Sequence, residues 1–381
     1  MRFEKDWGRL GLRYKNLSDF SIGKGTYGIS ASAVGKDDNL PTYLRITDIN
    51  DDGTINFASL KSVDRSDADK YRLQPNDIVF ARTGGSTGRS YFYDGKDGEF
   101  VFAGFLIKFS IDPQKCIPKF IKYYCQSREY YNWVASFNTG STRGNINAKT
   151  FEKMPIPDLP LEQQQLIVDV LSPIDDKIEN NKKINHHLEE MATSIFENMF
   201  PNVSSGKSTI GNYIIPKRGK NLLSKDAIVG KVPVVAGGLQ PSTFHNIANT
   251  KSPVLTISAS GANAGYVNLW HIPVWSSDSS YIDISITDNV YFWYVMLKKR
   301  QQEIYDSQTG SAQPHIYPKH IEIMPTIDLS EDKVSRFTKQ VTPLFESIGN
   351  NIKEIGELQT LRDTLLPKLL SGEISVNQAS K

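Results

Sequence analysis

The stretch IVDVLSPIDDKIENNKKINHHLEEMATSIFENM, residues 167–199, carries apolar side chains at alternating steps of four and three. This spacing is typical of a coiled coil, in which one face of a helix meets a partner helix. We call that face the first seam, and its positions are Ile167, Leu171, Ile174, Ile178, Asn181, Asn185, Leu188, Ala192, Ile195 and Met199. The pattern predicts a long helix that pairs with another helix; an amphipathic helix lying on its own domain is the alternative.

A second seam with the same spacing lies 170 residues further along the chain, at Phe337, Val341, Leu344, Ile348, Asn351, Ile355, Leu358, Arg362, Leu365 and Leu369. Asn181 and Asn351 occupy the same point of the two seams, where a polar residue lowers stability but fixes the register. Each helix is expected to kink or restart at its proline, Pro173 or Pro343. We expect the two helices to pair antiparallel as a spacer. The expected spacer contacts are Ile174, Ile178, Asn181, Leu188, Leu344, Ile348, Asn351 and Leu358.

The chain is predicted to be an internal repeat. An offset of 170 residues superposes 138–200 on 308–370 without a gap, and 16 of the 63 positions are identical. Further upstream the offset is larger by seven, so that 78–88 fall on 255–265. The glycines that coincide there are Gly84 with Gly261 and Gly88 with Gly265. This indicates an α+β protein built from two copies of one unit, each an α/β part followed by a helix, about a pseudo-twofold axis.

Net charge alternates along the chain. The 44 Lys and Arg residues against 42 Asp and Glu give a net charge of +2. The pieces 1–157, 158–204, 205–327 and 328–381 carry net charges of +5, −6, +4 and −1. We predict that the first and third pieces are globular domains, and that the second and fourth are the helical spacers, the last with a short flexible tail. Two mildly basic domains favour a polyanion partner, although the field is weak.

Composition excludes several classes of protein. The chain has 381 residues, 39% of them apolar and 10% aromatic, which is typical of a globular protein with two or three domains. No apolar run approaches the ~18 residues of a membrane span, and the first residues, MRFEKDWGRLGL, lack the apolar core of a signal peptide. A cytoplasmic protein without a membrane partner is expected. Cys116 and Cys125 have no spacing for zinc, and a disulfide scaffold is equally excluded.

Three patterns resemble enzyme sites, but each has a simpler explanation. A GxGxxG pattern at 23–28 resembles a dinucleotide-binding site, which needs a helix directly after the glycines. The residues that follow indicate a loop and then a strand instead. A nuclease-like PD and DDK pattern at 157–177 falls on the first seam helix, where Asp175 and Asp176 lie off the seam and are expected to be solvated. The six histidines have no metal-ligand spacing. We therefore predict no catalytic residue, no cofactor and no metal site.

Nucleic-acid binding is favoured by two loops in each half that are rich in Gly, Ser and Thr. They span 82–89 and 138–149, then 258–266 and 308–319. Small residues let backbone N–H groups approach phosphates, and Arg, Asn, Gln and His can bind base edges in the major groove. The alternative is turns with structural glycines. The candidate DNA contacts are Arg82, Thr83, Ser86, Thr87, Arg89, Ser141, Arg143, Asn145, Asn147, Lys149, Ser258, Ser260, Asn263, Tyr266, Ser311, Gln313, His315, Tyr317 and Lys319.

The repeat divides these candidates into two kinds. Lys149 and Lys319, like the Thr-Gly-Ser run that precedes each of them, are shared and would position the DNA. The residues that differ in the same frame are Arg143, Asn145 and Asn147 in the first half, and Gln313, His315 and Tyr317 in the second. These would recognise sequence. The aromatic helices near 120–133 and 292–294 are expected to lie in the core.

These motifs resemble those of one known family, the specificity subunit of type I restriction-modification systems. The matching pieces are YLRITDINDDGTI at 43–55, DIVFARTGGSTG at 77–88, PIPDLPLEQQQLIVDVLSPIDDKIENNKKI at 155–184 and LRDTLLPKLLSGEI at 361–374. The resemblance implies two target recognition domains that each bind one half of a split double-stranded DNA sequence. It implies two central helices that set the spacing and dock methyltransferase subunits, two per chain. It implies no catalysis here, since methylation with S-adenosylmethionine belongs to those subunits, and translocation with cleavage belongs to the restriction subunit.

The second helix departs from the family pattern. Arg362 occupies a seam position, and SEDK at 330–333 stands where the first helix has LEQQ, so the two docking surfaces are expected to differ. A single-chain pseudo-dimeric regulator remains an alternative, although no helix-turn-helix is evident. An enzyme acting alone would turn over substrate, and a coiled-coil adaptor would show no salt-dependent DNA affinity. The prediction is a non-catalytic subunit that recognises a bipartite, asymmetric DNA target.

Overall fold

The structure is a computed structural model that describes residues 13–137, 144–310 and 313–374. Contacts divide these residues into two units. Unit 1 contains the described residues up to Asp176 and those from Leu358 onward, and unit 2 is Lys177–Glu357. Each unit has its own apolar core and contains a segment of both long helices. The four-piece division expected from the sequence stays a prediction.

Unit 1 is built on three small sheets. Its strands are β1 (Tyr14–Asn16), β2 (Ser21–Tyr27), β3 (Thr42–Leu44), β4 (Lys61–Ser62), β5 (Asp77–Ala81), β6 (Ser90–Tyr93), β7 (Phe100–Phe102), β8 (Leu106–Ile111) and β9 (Pro155–Pro157). They are ordered β2-β8-β5-β6, β4-β3-β7 and β1-β9. The short helices are α1 (Pro118–Tyr124), α2 (Arg128–Ala135) and α3 (Ala148–Glu152). The central strand β5 is buried along its whole length, as its apolar sequence DIVFA requires.

Unit 2 repeats this arrangement. Its strands are β10 (Ser208–Thr209), β11 (Lys217–Arg218), β12 (Val232–Val235), β13 (Thr243–His245), β14 (Val254–Ser258), β15 (Val267–Trp270), β16 (Trp275–Ser276), β17 (Ser279–Asp283) and β18 (Pro325–Thr326). Their order is β11-β17-β14-β15, β13-β12-β16 and β10-β18. The short helices are α5 (Val290–Lys299), α6 (Gln301–Asp306) and α7 (Pro318–Glu322). In both units the three-stranded sheet contains one parallel and one antiparallel strand pair, so the predicted repeat is confirmed in the topology.

Two long helices complete the fold, α4 (Leu161–Met199) and α8 (Glu331–Leu370). Both helices continue through their prolines, Pro173 and Pro343, so the expected restart is wrong and the alternative, a kink, stays a prediction. Within unit 2 the two helices contact each other through polar seam residues. Asn181 Nδ2 donates to Glu354 Oε2 at 2.7 Å, and Asn351 Nδ2 donates to Asn185 Oδ1 at 2.8 Å. Residue numbers increase along α4 while those of the contacting residues on α8 decrease, so the two helices are antiparallel within this unit.

The expected spacer contacts are at least partly buried in the units to which they belong. Ile178, Asn181 and Ile348 are buried, and the half-buried ones are Ile174, Leu188, Leu344, Asn351 and Leu358. α8 also lies on the α/β part of unit 2, because Phe345, which is outside the seam, stacks on Tyr291 with ring centroids 4.7 Å apart. Pairing with the other helix therefore accounts for part of the buried helix surface, and packing on an α/β part accounts for another part. A coiled-coil geometry over the full length stays a prediction.

Asp175 corrects one expectation from the sequence. Its side chain is only 16% exposed and accepts hydrogen bonds from Lys122 Nζ at 2.8 Å and Arg362 Nη1 at 3.2 Å, so it is not solvated. The cause is that α1 covers this face of α4 and places Lys122 and Tyr123 against the carboxylate. Asp176, the next residue, is exposed as expected.

Three further expectations concern membrane spans, metal sites and the aromatic helices. No helix in the described ranges is long and apolar enough to cross a membrane. Within the same ranges, no group of three or more His, Cys, Asp or Glu side chains is arranged to hold a metal ion. Of the aromatic helices expected in the core, Trp133 and Trp293 are buried, whereas Tyr131 is 42% exposed and donates to the Asp51 carbonyl. The core prediction is therefore wrong for Tyr131.

Candidate nucleic-acid interface

The first glycine-rich loop has the same backbone in both units. It follows β5 in unit 1 and β14 in unit 2, and the glycines paired by the repeat all have left-handed φ, namely Gly84 (77°), Gly88 (87°), Gly261 (83°) and Gly265 (86°). The loop closes when the second glycine of each pair donates its N–H to the strand end: Gly88 to Ala81 at 2.8 Å and Gly265 to Ser258 at 2.7 Å. Left-handed φ is readily adopted only by glycine, so each loop needs glycine here.

Replacing Gly88 with alanine is expected to destabilise unit 1 more than replacing Gly84. Both residues have left-handed φ, which costs a side chain ~1–2 kcal/mol. A methyl group at Gly88 would also stand 2.4 Å from Val134 Cγ1, whereas at Gly84 the nearest atom, Ile46 Cδ1, is 3.9 Å away. The steric overlap adds roughly 1–3 kcal/mol. Urea unfolding of the two variants measures the difference, and equal losses would contradict this packing.

In unit 1 the two candidate loops lie side by side. Thr83 of the first loop pairs with Asn145 of the second in an isolated antiparallel bridge. The Ile146 N–H donates to the Arg82 carbonyl at 2.9 Å, and the Thr87 hydroxyl donates to the Gly144 carbonyl at 3.1 Å. The described part of the second loop, 144–149, is thereby fixed against the first. Two sequence candidates in the same loop, Ser141 and Arg143, lie outside the described residues.

Unit 2 brings its loops together in the same way. Ser260 pairs with His315, and these are the partners that the two repeat frames predict from Thr83 and Asn145. The Ile316 N–H donates to the Ala259 carbonyl at 2.9 Å. Ser311 lies outside the described residues. Each unit therefore contains one surface made from two loops that are distant in sequence.

The unit 1 candidates differ in what they can offer a ligand. The exposed ones are Asn145, Asn147 and Lys149, and the half-buried ones are Arg82, Thr83, Ser86, Thr87 and Arg89. Asn147 caps α3, since its side chain accepts from the Thr150 N–H at 2.9 Å. Arg89 binds the Asp51 carboxylate at 2.6 Å and the Ile49 carbonyl at 3.0 Å. Asn147 and Arg89 thus have local structural roles, whereas Asn145 and Lys149 point to solvent.

The unit 2 candidates include one correction. The exposed ones are Gln313, Tyr317 and Lys319, and the half-buried ones are Ser260, Asn263, Tyr266 and His315. Ser258 is only 3% exposed, and its hydroxyl donates to the Ala236 carbonyl, so it cannot reach a ligand at the surface. The Lys298 ammonium lies 4.3 Å from the centre of the Tyr266 ring, and burial lowers the pKa of this lysine.

Aromatic and cationic side chains complete both surfaces. The His315 and Tyr317 rings stack with centroids 5.9 Å apart and an interplanar angle of 11°. The Arg82 guanidinium lies 5.2 Å from the Tyr27 ring centre, and the Arg218 guanidinium lies 5.9 Å from the Tyr317 ring centre. Tyr27 and Arg218 were missed by the sequence analysis because they come from β2 and β11, which no repeat frame related to each other.

Comparisons with known proteins find similarity to type I restriction-modification specificity subunits. The type I restriction modification DNA specificity domain family matches residues 17–190. The MjaIX specificity subunit, a type I restriction enzyme component of Methanocaldococcus jannaschii, is 27% identical over 303 residues, covering 69% of this chain and 70% of that protein. The HindI specificity subunit of Haemophilus influenzae, from a type I restriction enzyme, is 25% identical over 191 residues, which cover 48% of this chain and 41% of that subunit.

One solved structure shares the fold. It is the S subunit of a type I restriction-modification system from M. genitalium, with a TM-score of 0.55 and 20% sequence identity. The similarity covers 95% of this chain and 96% of that one. At this identity, the likeness concerns the arrangement of the elements rather than any side chain.

Proposed function

We propose that this chain is a DNA specificity subunit of the type I restriction-modification family and that it selects the DNA sequence on which partner subunits act. The proposal is supported by the family match over residues 17–190 and by the 27% identity to the MjaIX specificity subunit. One observation carries the proposal in detail: the same two-loop surface occurs once in each unit. The two surfaces have equivalent backbones but present different side chains, with Asn145 in one and His315 in the other. Two unlike surfaces would recognise two unlike half-sites, so the target is bipartite and asymmetric.

The long helices would serve as the spacer between the half-sites. Support comes from the polar seam residues, because Asn181 and Asn351 each make an interhelical hydrogen bond within unit 2. Interhelical hydrogen bonds of this kind fix the register of paired helices. A fixed register would in turn fix the number of base pairs between the two half-sites.

Catalysis would belong to partner subunits. In this proposal, methyltransferase subunits, two per chain, dock on the helices and methylate adenine with S-adenosylmethionine. Restriction subunits add translocation and cleavage. Arg362 and the stretch 330–333 make the second helix unlike the first, so the two docking surfaces would differ in strength.

Single-molecule methylome sequencing tests the proposal. Cells would express this chain with its neighbouring methyltransferase subunit, and matched cells would lack this chain. We expect a split motif, methylated on adenine in both halves, only when this chain is present. If both proteins are soluble and associated but no motif appears, the chain does not select DNA sequence.

Replacing Asn145 with alanine is expected to change one half of the motif only. Asn145 is exposed at the meeting point of the two loops in unit 1, and an asparagine amide can bind an adenine edge in two places. Gln313→Ala is the reciprocal variant in unit 2 and should change the other half. Lys149→Ala should weaken DNA binding uniformly and reduce its salt dependence. If both Asn145→Ala and Gln313→Ala leave the motif unchanged, these side chains do not recognise bases.

A further inference from the structure

Arg218 is held in a fixed orientation at the edge of unit 2. It ends strand β11, and its Nη2 donates to Asp278 Oδ1 at 2.7 Å. Its guanidinium also faces the Tyr317 ring at 5.9 Å. The other Asp278 oxygen accepts a hydrogen bond from the Ser260 hydroxyl. An arginine fixed by a carboxylate on one edge and an aromatic ring on one face loses little entropy on binding.

The same contacts make Arg218 part of the two-loop surface of unit 2. Asp278 accepts at its carbonyl from the Ala259 N–H at 3.0 Å, next to Ser260, which pairs with His315. The Arg218 side chain is 42% exposed despite these contacts. The Asp278 bond uses one of the five guanidinium N–H donors, so an edge of the group can still bind a ligand.

Unit 1 places its guanidinium differently on an equivalent backbone. The Gly28 N–H, just after Tyr27, donates to the Leu106 carbonyl at 3.3 Å, and the Gly219 N–H, just after Arg218, donates to the Ser279 carbonyl at 2.8 Å. Leu106 and Ser279 begin β8 and β17, which hold the same place in the two sheets. Tyr27 is therefore the counterpart of Arg218. In unit 1 the arginine on the aromatic ring comes instead from the glycine loop, as Arg82. The counterpart of Asp278 is Phe105, because each accepts the first N–H of its glycine loop.

We propose that Arg218 recognises a guanine in the half-site bound by unit 2, with Asp278 and Tyr317 as positioning residues. This inference rests on the proposed function. The planar arginine fork matches the O6 and N7 acceptors of guanine in the major groove. The neighbouring Asp278 carboxylate repels phosphate, so a neutral base edge is the better ligand for this particular arginine.

Methylome sequencing of Arg218→Lys, Arg218→Ala and Asp278→Asn tests the inference, with Lys217→Ala as the control, since Lys217 is the exposed neighbour in β11. Both Arg218 variants should lose discrimination for guanine at one position of one half-site by roughly 5- to 150-fold. Asp278→Asn should relax the same position in part and make non-specific DNA binding stronger, because it removes a negative charge. The other half-site and the Lys217 variant should be unchanged.

The outcomes separate this inference from the proposed function. A wild-type motif whose unit 2 half contains no guanine would overturn the assignment of Arg218. So would an Arg218→Lys variant that keeps the motif and only weakens binding at every sequence, because that is the behaviour of a phosphate contact. In both cases the motif itself persists and the proposed function stands. A wild-type chain that yields no motif overturns the proposed function instead.

Discussion

Replacing Asp175 with alanine is expected to lower the free energy of unfolding of unit 1 by roughly 2 to 4 kcal/mol. The carboxylate binds Lys122 and Arg362, whose side chains are 28% and 12% exposed. Without it, the ion pair that remains to Arg362 among the described residues is with Asp363, which is 68% exposed. A largely buried cation that loses its main partner destabilises the fold by more than the ion pair contributed.

Urea unfolding, with hydrogen exchange followed in 161–176 and 358–370, measures this loss. Asp176→Ala is the matched control, because this exposed neighbour should change stability by no more than about 0.5 kcal/mol. The double variant Asp175→Ala, Arg362→Ala should lose less than the sum of the single losses, since it leaves no unpaired guanidinium. An Asp175→Ala protein as stable as the control would show that the ion pair does not stabilise unit 1.

The pKa of Asp175 determines how this stabilisation depends on pH. Burial alone would raise the pKa, but Lys122 and Arg362 outweigh burial and hold the pKa of Asp175 below its ordinary value. The folded state therefore favours the ionised carboxylate. The stabilisation is complete above the unfolded pKa of about 3.9 and is lost as the pH falls through the folded pKa. The stability difference between wild type and Asp175→Asn should accordingly shrink below about pH 4.

Asp175 also shows where a heptad pattern stops being informative. The repeat places Phe345 at the position of Asp175 and Ala192 at that of Arg362, and both are buried in the core of unit 2. One position is thus charged in one unit and apolar in the other. The pattern identifies the face toward the partner helix, but it cannot tell that α1 covers a second face of α4. That contact depends on tertiary packing.

The repeat predicted the features that depend on local backbone. Four glycines, at 84, 88, 261 and 265, have left-handed φ, and their spacing alone related the two loops. The bridges of Thr83 with Asn145 and of Ser260 with His315 follow the same two frames. The glycine loops were predictable because a tight turn constrains residue type directly. The bridges were not predicted, because each of them joins two loops that are distant in sequence.

Side-chain direction was not predictable in the same way. Ser258 is in a loop rich in small polar residues, yet its place at the end of the buried strand β14 turns it inward. Arg218 lies in no recognisable motif and reaches the surface of unit 2 only because β11 pairs with β17. Strand pairing joins residues that are distant in sequence, and one sequence does not specify which strands will meet.

Introducing lysine at Ile348 is expected to abolish methylation of the whole target. Ile348 is 3% exposed in the core of unit 2, on the seam of α8. A lysine there either buries an unpaired charge, which costs several kcal/mol, or forces α8 away from its neighbours. Ile178→Lys, on the seam of α4 and 6% exposed, should have the same effect. Methylome sequencing and co-purification with the methyltransferase subunit measure the result.

Matched variants on the same helices separate the seam from a general effect of charge. Ile352 and Ile184 are 50% and 47% exposed, so a lysine at either position should leave the motif and the assembly intact. The comparison with Asn145→Ala then tests the division of labour, because a loop variant should change one half-site while a seam variant should lose both. If Ile348→Lys instead gave a full amount of methylation with altered bases in one half, the helices would recognise sequence themselves and would not act only as the spacer.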